Sequence, residues 1–303
     1  MPQLRKLEDH APSIQGKISV IMPAFNESEN IIKNLKEVVA TLSGLQYDYE
    51  VIVVDDGSSD GTHLHALRVA VEHPELVRIV RYDLNQGKGN ALIAGFSYAR
   101  GDTIVFLDAD MDLHPSQLPV FFGIMSSSDA DAVIGSKRHP DSRVNYPLIR
   151  QFYSFGYYSL VRILFGLPLR DTQTGLKVFR RALLDDVFPR VLAKRFAFDI
   201  ELLSIAHRLG YKIKDAPVEL EFQRAMGRIT LRHIWVIGLD TLAIFYRLKI
   251  RRYYDSKNAA EMNVLATEHL PLEIGALADT QTAASNPMLR TQTVDTEQTS
   301  AKG

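Results

Sequence analysis

Short apolar runs that alternate with helical segments constrain the fold of this chain more than any other feature of its sequence. The runs are rich in Val and Ile and lie at Lys17–Met22, Glu50–Val54, Leu76–Tyr82, Thr103–Leu107 and Ala132–Gly135. Since almost every residue of a run is apolar, each predicted strand must be covered on both faces, which is typical of a parallel sheet. We therefore predict an α/β fold with a mostly parallel, Rossmann-like sheet, right-handed crossovers and helices on both faces.

The intervening and later segments have helical patterns. We predict helices at Ser28–Leu42, Thr62–Glu72, Gly89–Ala99, Leu148–Phe165, Asp199–Leu209 and Leu231–Arg252. Two short strands are expected around Tyr211–Lys214 and Val218–Phe222. The chain divides into a polar extension (1–16), an α/β domain (17–226), an amphipathic basic helix (227–255) and a tail (256–303). Because the tail is rich in Ala, Thr, Gln and Ser, we predict that most of it is disordered.

Composition narrows the possible functions. The net charge of −1 lacks the basic excess of a nucleic-acid-binding protein, so no nucleic acid is expected as a partner. The absence of cysteine excludes disulfides, thiolate metal sites and cysteine nucleophiles, and it suits a reducing cytosol. The N-terminus has no apolar core typical of a signal peptide, and no run of about 18 apolar residues predicts a membrane-spanning helix.

Polar clusters follow four of the predicted strands. They lie at Pro23–Glu27, Asp55–Thr62, Asn85–Asn90 and Asp108–Asp112. In open α/β sheets, ligands bind beyond the carboxyl ends of the strands, so these clusters are expected to form one site. The first strand lacks the glycine fingerprint of dinucleotide-binding folds, and the chain has no GxxxxGK[ST] loop. A dehydrogenase and a P-loop nucleotide hydrolase are therefore disfavoured.

Three aspartates alternate in the fourth cluster, at Asp108, Asp110 and Asp112. If the chain stays extended, their carboxylates share one face and repel one another unless a cation lies between them. Hard oxygen ligands favour Mg²⁺ or Mn²⁺, which keep coordination positions open for phosphate oxygens. We predict a metal site at these three residues that serves a diphosphate; the alternative is a solvated acidic turn.

Two further loops carry candidate ligands with alternative structural roles. Asp55 and Asp56 precede a glycine, so they are typical of a turn, but a carboxylate there can also accept hydrogen bonds from a nucleobase. Lys88 lies between two glycines and can contact a phosphate or remain an exposed loop lysine.

The motifs, taken in order, resemble those of family 2 glycosyltransferases of the GT-A fold, and especially of polyprenyl-phosphate sugar synthases, which include dolichyl-phosphate mannose and glucose synthases. They are PAFNESENI, VVDDGSSDGT, NQGKGNA, FLDADMDLHP, VIGSKR, DTQTGLKVFRR and FDIELL. The resemblance implies a nucleotide-sugar donor and a divalent metal. It also implies that the donor is bound by Pro23, Ala24, Phe25, Glu27, Asp55, Asp56, Lys88, Asp108, Ala109 and Asp110.

The same resemblance implies an acceptor side. In relatives an arginine of a GSR motif points to the acceptor phosphate; here Lys137 stands at that position and Arg138 follows it. We expect Asp110, Lys137 and Arg138 to be catalytic. The acceptor phosphate is expected to meet Ser136, Lys137, Arg138, Arg150 and Lys177. Asp112 stands where many relatives have a glutamine, with one extra residue before His114.

The predicted reaction is an inverting transfer of a hexose from UDP-glucose or GDP-mannose to a polyprenyl or dolichyl phosphate. A phosphate needs no general base, whereas a hydroxyl acceptor does. Asp199 and Glu201 are two residues apart on a predicted helix, so at most one of them faces the site. The alternatives are transfer to a sugar hydroxyl and a non-catalytic nucleotide-sugar-binding protein. The basic helix Leu231–Arg252 predicts a peripheral protein on the cytoplasmic face of a membrane.

Overall fold

A mixed sheet forms the centre of the molecule in the computed structural model, which describes residues 14, 16–144, 148–193, 197–220, 231–255 and 272–274. Its strands are β1 (Ile18–Ala24), β2 (Tyr49–Asp56), β3 (Val77–Tyr82), β4 (Thr103–Phe106), β5 (Ala132–Ser136), β7 (Lys177–Arg180), β8 (Ile213–Pro217) and β10 (Leu272–Ile274). Their order is β10-β3-β2-β1-β4-β7-β5-β8. A second, two-stranded sheet joins β6 (Arg143–Val144) and β9 (Glu219–Leu220).

Helices cover both faces of the sheet. They are α1 (Ile31–Gly44), α2 (Thr62–Glu72), α3 (Lys88–Tyr98), α4 (Leu118–Ser128), α5 (Leu148–Phe165), α6 (Arg181–Val187), α7 (Phe198–Arg208) and α8 (Leu231–Phe245). Successive residues of β1 enter different cores: Val20 packs with α1, α2 and α4, and Ile21 packs with α3 and α7. Burial on both faces explains why the strands are apolar at nearly every position.

The predicted α/β architecture is confirmed, and β7 is a strand at its centre that the sequence did not reveal. β7 pairs antiparallel with both β4 and β5, whereas β1, β2, β3 and β4 pair in parallel. Its register places Lys177 beside Phe106. The first residues of β7 therefore lie at the edge where the parallel strands end.

The C-terminal part of the chain differs from the prediction in two places. The helix predicted at Leu231–Arg252 ends its α-helical part at Phe245 and continues as a π-helix over Tyr246–Ile250. Within the predicted disordered tail, β10 pairs antiparallel with β3; the other tail residues and most of the 1–16 extension lie outside the described residues. No described helix combines the length and apolarity that a bilayer crossing requires.

A buried carboxylate fastens α7 to the segment after α8. Glu201 is fully buried, and its Oε2 accepts backbone hydrogen bonds from Leu192 at 2.8 Å and Ala193 at 2.5 Å. Its Oε1 accepts from Arg247 at 2.9 Å and from the hydroxyl of Tyr254. Glu201 thus faces away from the carboxyl edge of the sheet, as the spacing to Asp199 predicted for one of the two acids.

Candidate active site

A cavity of about 620 Å³ opens at the carboxyl ends of β1, β2 and β4. The starts of α3 and α7 close its other side. Its walls are formed by Pro23, Ala24, Phe25, Glu27, Asp56, Asn85, Gly87, Lys88, Asp108, Ala109, Asp110, Gln173, Phe198 and Asp199. The structure therefore brings together nine of the residues that we predicted to bind the donor.

The loop after β1 is fastened to the loop after β2. The backbone N–H of Asn26 donates to Oγ of Ser58 at 2.9 Å, and the N–H of Glu27 donates to Oγ1 of Thr62 at 2.8 Å. Immediately before these anchors, Phe25 is 48% exposed and lines the cavity. An aromatic side chain held in water by a fixed backbone is available for contact with a planar ligand.

The two adjacent aspartates at the end of β2 have different surroundings. Asp56 lines the cavity and accepts backbone hydrogen bonds from Gln86 at 2.7 Å and Gly87 at 2.8 Å. Asp55 is fully buried, accepts from the N–H of Ser58 at 3.0 Å and does not line the cavity. Strand alternation turns the two side chains to opposite sides, so only Asp56 is placed to meet a nucleotide.

Lys88 neutralises one of the alternating aspartates. Its Nζ lies 2.5 Å from Oδ1 of Asp108. Burial opposes ionisation of Asp108, but the nearby ammonium groups of Lys88, Lys177 and Lys137 outweigh it and lower the pKa of this carboxyl. Desolvation likewise opposes the charge on Lys88, and the acids Asp108, Asp199 and Asp110 outweigh it and raise its pKa. Lys88 is therefore part of the site and not merely an exposed loop lysine.

Asp110 has the opposite environment. Burial and the negative charges of Asp108 and Asp112 raise its pKa to about 6. Its Oδ1 accepts the backbone N–H of Asp112 at 3.2 Å, which offsets part of this effect. The carboxylates thus lie close enough to repel one another, as the alternation of the aspartates predicted.

The three aspartates nevertheless do not share one extended face. Met111 adopts a left-handed backbone conformation, with φ of 59°, so the chain turns between Asp110 and Asp112. Among the described residues, no group of three or more His, Asp or Glu side chains is arranged to hold a metal ion. The predicted three-aspartate cluster is therefore not preassembled.

The donor set still fits a hard divalent cation. Magnesium is commonly bound by one or two protein carboxylates and completed by phosphate oxygens and water, rather than by a full protein cage. Asp110 and its neighbours supply oxygen ligands and a local excess of negative charge, which a cation relieves. Asp108 and Asp110 also line the cavity in which a diphosphate would complete the coordination.

A smaller cavity of about 90 Å³ adjoins the first beyond the aspartates. It is lined by Asp108, Asp110, Asp112, Leu113, Lys137, Gln173, Thr174, Gly175 and Leu220. Arg138 lines neither cavity; its guanidinium lies over the ring of Tyr158, 4.9 Å from the centroid. Ser136 is fully buried and lines neither cavity, and the side chain of Arg150 is outside the described part of the structure. Among the predicted acceptor-side cations whose side chains the structure describes, Lys137 lines this space.

Lys177 lies beneath the site instead of lining it. The side chain is 1% exposed, and Nζ lies 2.8 Å from Oδ1 of Asp199 and 2.5 Å from the carbonyl oxygen of Thr174. Burial lowers its pKa more than the charge of Asp199 raises it. In this structure an acceptor phosphate therefore cannot reach the ammonium of Lys177 as predicted, because the ammonium is buried and already paired.

Replacing Lys177 by methionine is expected to lower the free energy of unfolding by about 3 kcal/mol, because Asp199 loses its partner in a desolvated position. Denaturant unfolding measures this change. The double variant Lys177→Met/Asp199→Asn should recover part of the loss, since no charge remains unpaired. Equal stability of the single variant and the parent would show that the pair does not stabilise the fold.

Sequence reasoning missed several residues of the cavity walls. Gln173 stands between two residues of the DTQTGLK motif, and its polarity there was a usable signal. Gly175 has no functional side chain, but a Cβ at this position would lie 2.4 Å from Oδ2 of Asp108. A Cβ on Gly89 would lie 2.5 Å from the ring of Phe198. These glycines allow the two close contacts, which no one-dimensional pattern indicates.

Known proteins share this sequence pattern. The family model described as glycosyl transferase family 2 matches residues 19–188. The dolichyl-phosphate beta-glucosyltransferase ALG5A of Trichomonas vaginalis is 31% identical over 252 residues, covering 80% of this chain and 77% of that protein. The dolichyl-phosphate beta-glucosyltransferase of Drosophila melanogaster is 34% identical over 256 residues, covering 80% and 77%.

A solved structure shows the same fold. Glucosyl-3-phosphoglycerate synthase from Mycobacterium tuberculosis, in complex with Mn²⁺, UDP and phosphoglyceric acid, superposes with a TM-score of 0.58 at 22% identity. The match covers 81% of each chain. The family model spans more than half of this chain and includes the whole aspartate cluster and the three cavity-forming loops before it. The chain belongs to glycosyl transferase family 2 and is a glycosyltransferase that resembles the dolichyl-phosphate glucose synthases.

Proposed function

We propose that this glycosyltransferase moves a hexose, with inversion, from a nucleotide diphosphate sugar to a polyprenyl phosphate such as dolichyl phosphate. The observation that carries the proposal is the pair of adjoining cavities, which meet at Asp108 and Asp110 and end at Lys137. UDP-glucose is the first donor to test and GDP-mannose the second, because the two relatives described above are named dolichyl-phosphate beta-glucosyltransferases.

The larger cavity suits the donor. Phe25 offers an aromatic face to a base, and Asp56 offers carboxylate oxygens beside it. Asp110, with Asp108 or Asp112, would hold Mg²⁺ or Mn²⁺, which when bound neutralises charge on the departing diphosphate. Lys88 forms an ion pair with Asp108 and can pair with a phosphate oxygen instead once the donor enters. The donor thus places its anomeric carbon towards the smaller cavity.

The smaller cavity suits a phosphate nucleophile. Lys137 supplies a cation that attracts and orients the acceptor, and a phosphate attacks without loss of a proton. Attack from this side, opposite the diphosphate, inverts the anomeric configuration. A general base would be superfluous, and the nearby carboxylate of Asp199 already has its Oδ1 paired with Lys177.

Transfer to a sugar hydroxyl is the second candidate, and one observation favours it. Asp199 lines the donor cavity, so it could accept a proton from a hydroxyl if its pair with Lys177 opened. In that case Asp199→Asn would abolish transfer to saccharides. Under the phosphate-acceptor proposal, the same variant would retain most of its turnover number.

A membrane surface is the expected location of the acceptor. The α8 helix and the π-helical turn after it expose large apolar side chains at helical spacing, namely Leu239, Leu242, Tyr246 and Ile250. Exposed Lys249, Arg251 and Arg252 follow them, a combination typical of helices that lie on anionic lipid. We expect peripheral attachment on the cytoplasmic face. Flotation with vesicles containing anionic lipid tests this, and protein that stays in the unbound fraction would count against it.

The decisive experiment offers both acceptor classes to the purified protein. It is incubated with Mn²⁺, labelled UDP-glucose or GDP-mannose, and either polyprenyl phosphate or a saccharide panel. Label that enters the organic phase supports the proposal if this transfer stops when EDTA is added. Label found only on saccharides would overturn the proposal in favour of a hydroxyl acceptor. Label found only as free sugar would overturn it in favour of simple hydrolysis.

A further inference from the structure

Among the residues that the structure describes, three line both cavities of the site and form the boundary between them. Asp108, Asp110 and Gln173 line both the larger and the smaller cavity. A sugar that passes from a donor in one cavity to an acceptor in the other must cross this boundary. The two aspartates are negatively charged and suited to a cation, so Gln173 is the neutral polar side chain at the point of transfer.

Hydrogen bonds at Gln173 and at the next residue fix the backbone that carries the Gln173 side chain. Its own N–H donates to Oδ1 of Asp171 at 3.0 Å. The next residue, Thr174, is buried, and its hydroxyl donates to the carbonyl oxygen of Gly135 at 2.5 Å. The side chain of Gln173 is exposed, and within the described part of the chain its amide has no hydrogen-bond partner. A polar group is thus held at the boundary without a structural role of its own.

A primary amide is well matched to a sugar hydroxyl. It presents one carbonyl acceptor and two N–H donors, and a hydroxyl both donates and accepts. Sites that hydrogen-bond a substrate hydroxyl discriminate strongly against analogues in which that hydroxyl is absent or displaced. Carboxylates also accept hydrogen bonds from hydroxyls, but Asp108 is already paired with Lys88, and Asp110 is the proposed ligand of the cation. Gln173 is the boundary residue whose side chain remains for the hexose.

We propose that Gln173 hydrogen-bonds hydroxyl groups of the transferred hexose and thereby sets the preference among donor sugars. This inference rests on the proposed donor, a nucleotide diphosphate sugar, but not on the identity of the acceptor. It makes Gln173 a specificity residue of the donor, distinct from the acceptor-side role of Lys137.

Donor preference in Gln173 variants tests the proposal. The parent, Gln173→Ala and Gln173→Asn are compared with UDP-glucose, UDP-galactose, GDP-mannose and GDP-glucose, both in transfer and in equilibrium binding with Mn²⁺. We expect Gln173→Ala to lower kcat/KM for the preferred donor by about 30-fold and to shrink its preference over the epimeric donor by about 10-fold. The affinity for UDP or GDP and the KM for the acceptor should stay within about twofold. Gln173→Asn should recover part of the preference.

Three outcomes would overturn the proposal: an unchanged preference, an equal loss with every donor, or weaker binding of the free nucleotide. Equilibrium binding needs no acceptor, so failure of transfer to polyprenyl phosphate refutes only the proposed function. If the parent binds one epimeric donor more tightly than the other and Gln173→Ala does not, the role proposed for Gln173 is still supported. A parent that binds no nucleotide-sugar overturns both.

Discussion

Replacing Asp110 by asparagine is expected to reduce kcat by about 10³-fold, which corresponds to about 4 kcal/mol of transition-state stabilisation. The variant keeps the shape of the side chain but removes the negative charge that would hold the cation, and with the cation the neutralisation of the departing diphosphate. Stability should not fall, since burial and the neighbouring aspartates disfavour the ionised form and raise the pKa of this carboxyl to about 6. Steady-state kinetics and thermal unfolding measure the two effects separately.

Asp112→Asn is the matched control for this prediction. It removes one charge from the same cluster, but the chain turns at Met111, and Asp112 does not line the larger cavity as Asp108 and Asp110 do. We expect a loss of at most about tenfold in kcat and a weaker dependence on Mn²⁺ concentration. Equal, small losses in both variants would refute the assignment of the metal to Asp110.

Gly175→Ala is expected to reduce activity by about 10²-fold through a single added methyl group. The Cβ would lie 2.4 Å from Oδ2 and 2.6 Å from Cγ of Asp108, so the carboxylate must move away from Lys88 and the cavity. The backbone of Gly175 is not in the left-handed region, so alanine adds no conformational strain. The loss should appear in kcat and in the affinity for nucleotide with Mn²⁺.

Gly44→Ala provides the control for the added methyl group. Gly44 ends α1, and a Cβ there meets no atom within 4 Å. Its activity should equal that of the parent, and its stability should be the same or slightly higher. Parental activity in Gly175→Ala would mean that Asp108 can shift without loss, and its proposed place beside the diphosphate would then be wrong.

The parts of the fold that sequence predicted well are those in which one physical requirement dominates. Strands buried on both faces need uninterrupted apolar residues, so the first five strands were found to within a few residues. The helix bounds predicted at Thr62–Glu72 and Leu148–Phe165 agree with the structure because the apolar periodicity ends with the helix in both. Parallel strands bring the loops that follow them to one edge of the sheet. Most residues of the larger cavity could therefore be predicted to lie together.

The parts that were missed depend on contacts between distant segments. The four residues of β7 begin and end with a charged side chain and so form no apolar run, and their antiparallel direction follows from their neighbours. The family resemblance implied that Lys177 meets the acceptor phosphate. In the structure Lys177 is buried instead, which a lysine rarely is unless paired, and its partner Asp199 lies on a separate helix. The turn at Met111 likewise could not be read from alternating aspartates.

The insertion of β7 also dictates an order of assembly. β4 and β5 are separated by β7, which follows them along the chain, so the half of the sheet from β3 to β4 and the half made by β5 and β8 cannot join until residue 180 has been synthesised. Such non-local pairing slows folding. The donor cavity is also completed late, because Gln173, Phe198 and Asp199 line it and all follow β5 along the chain.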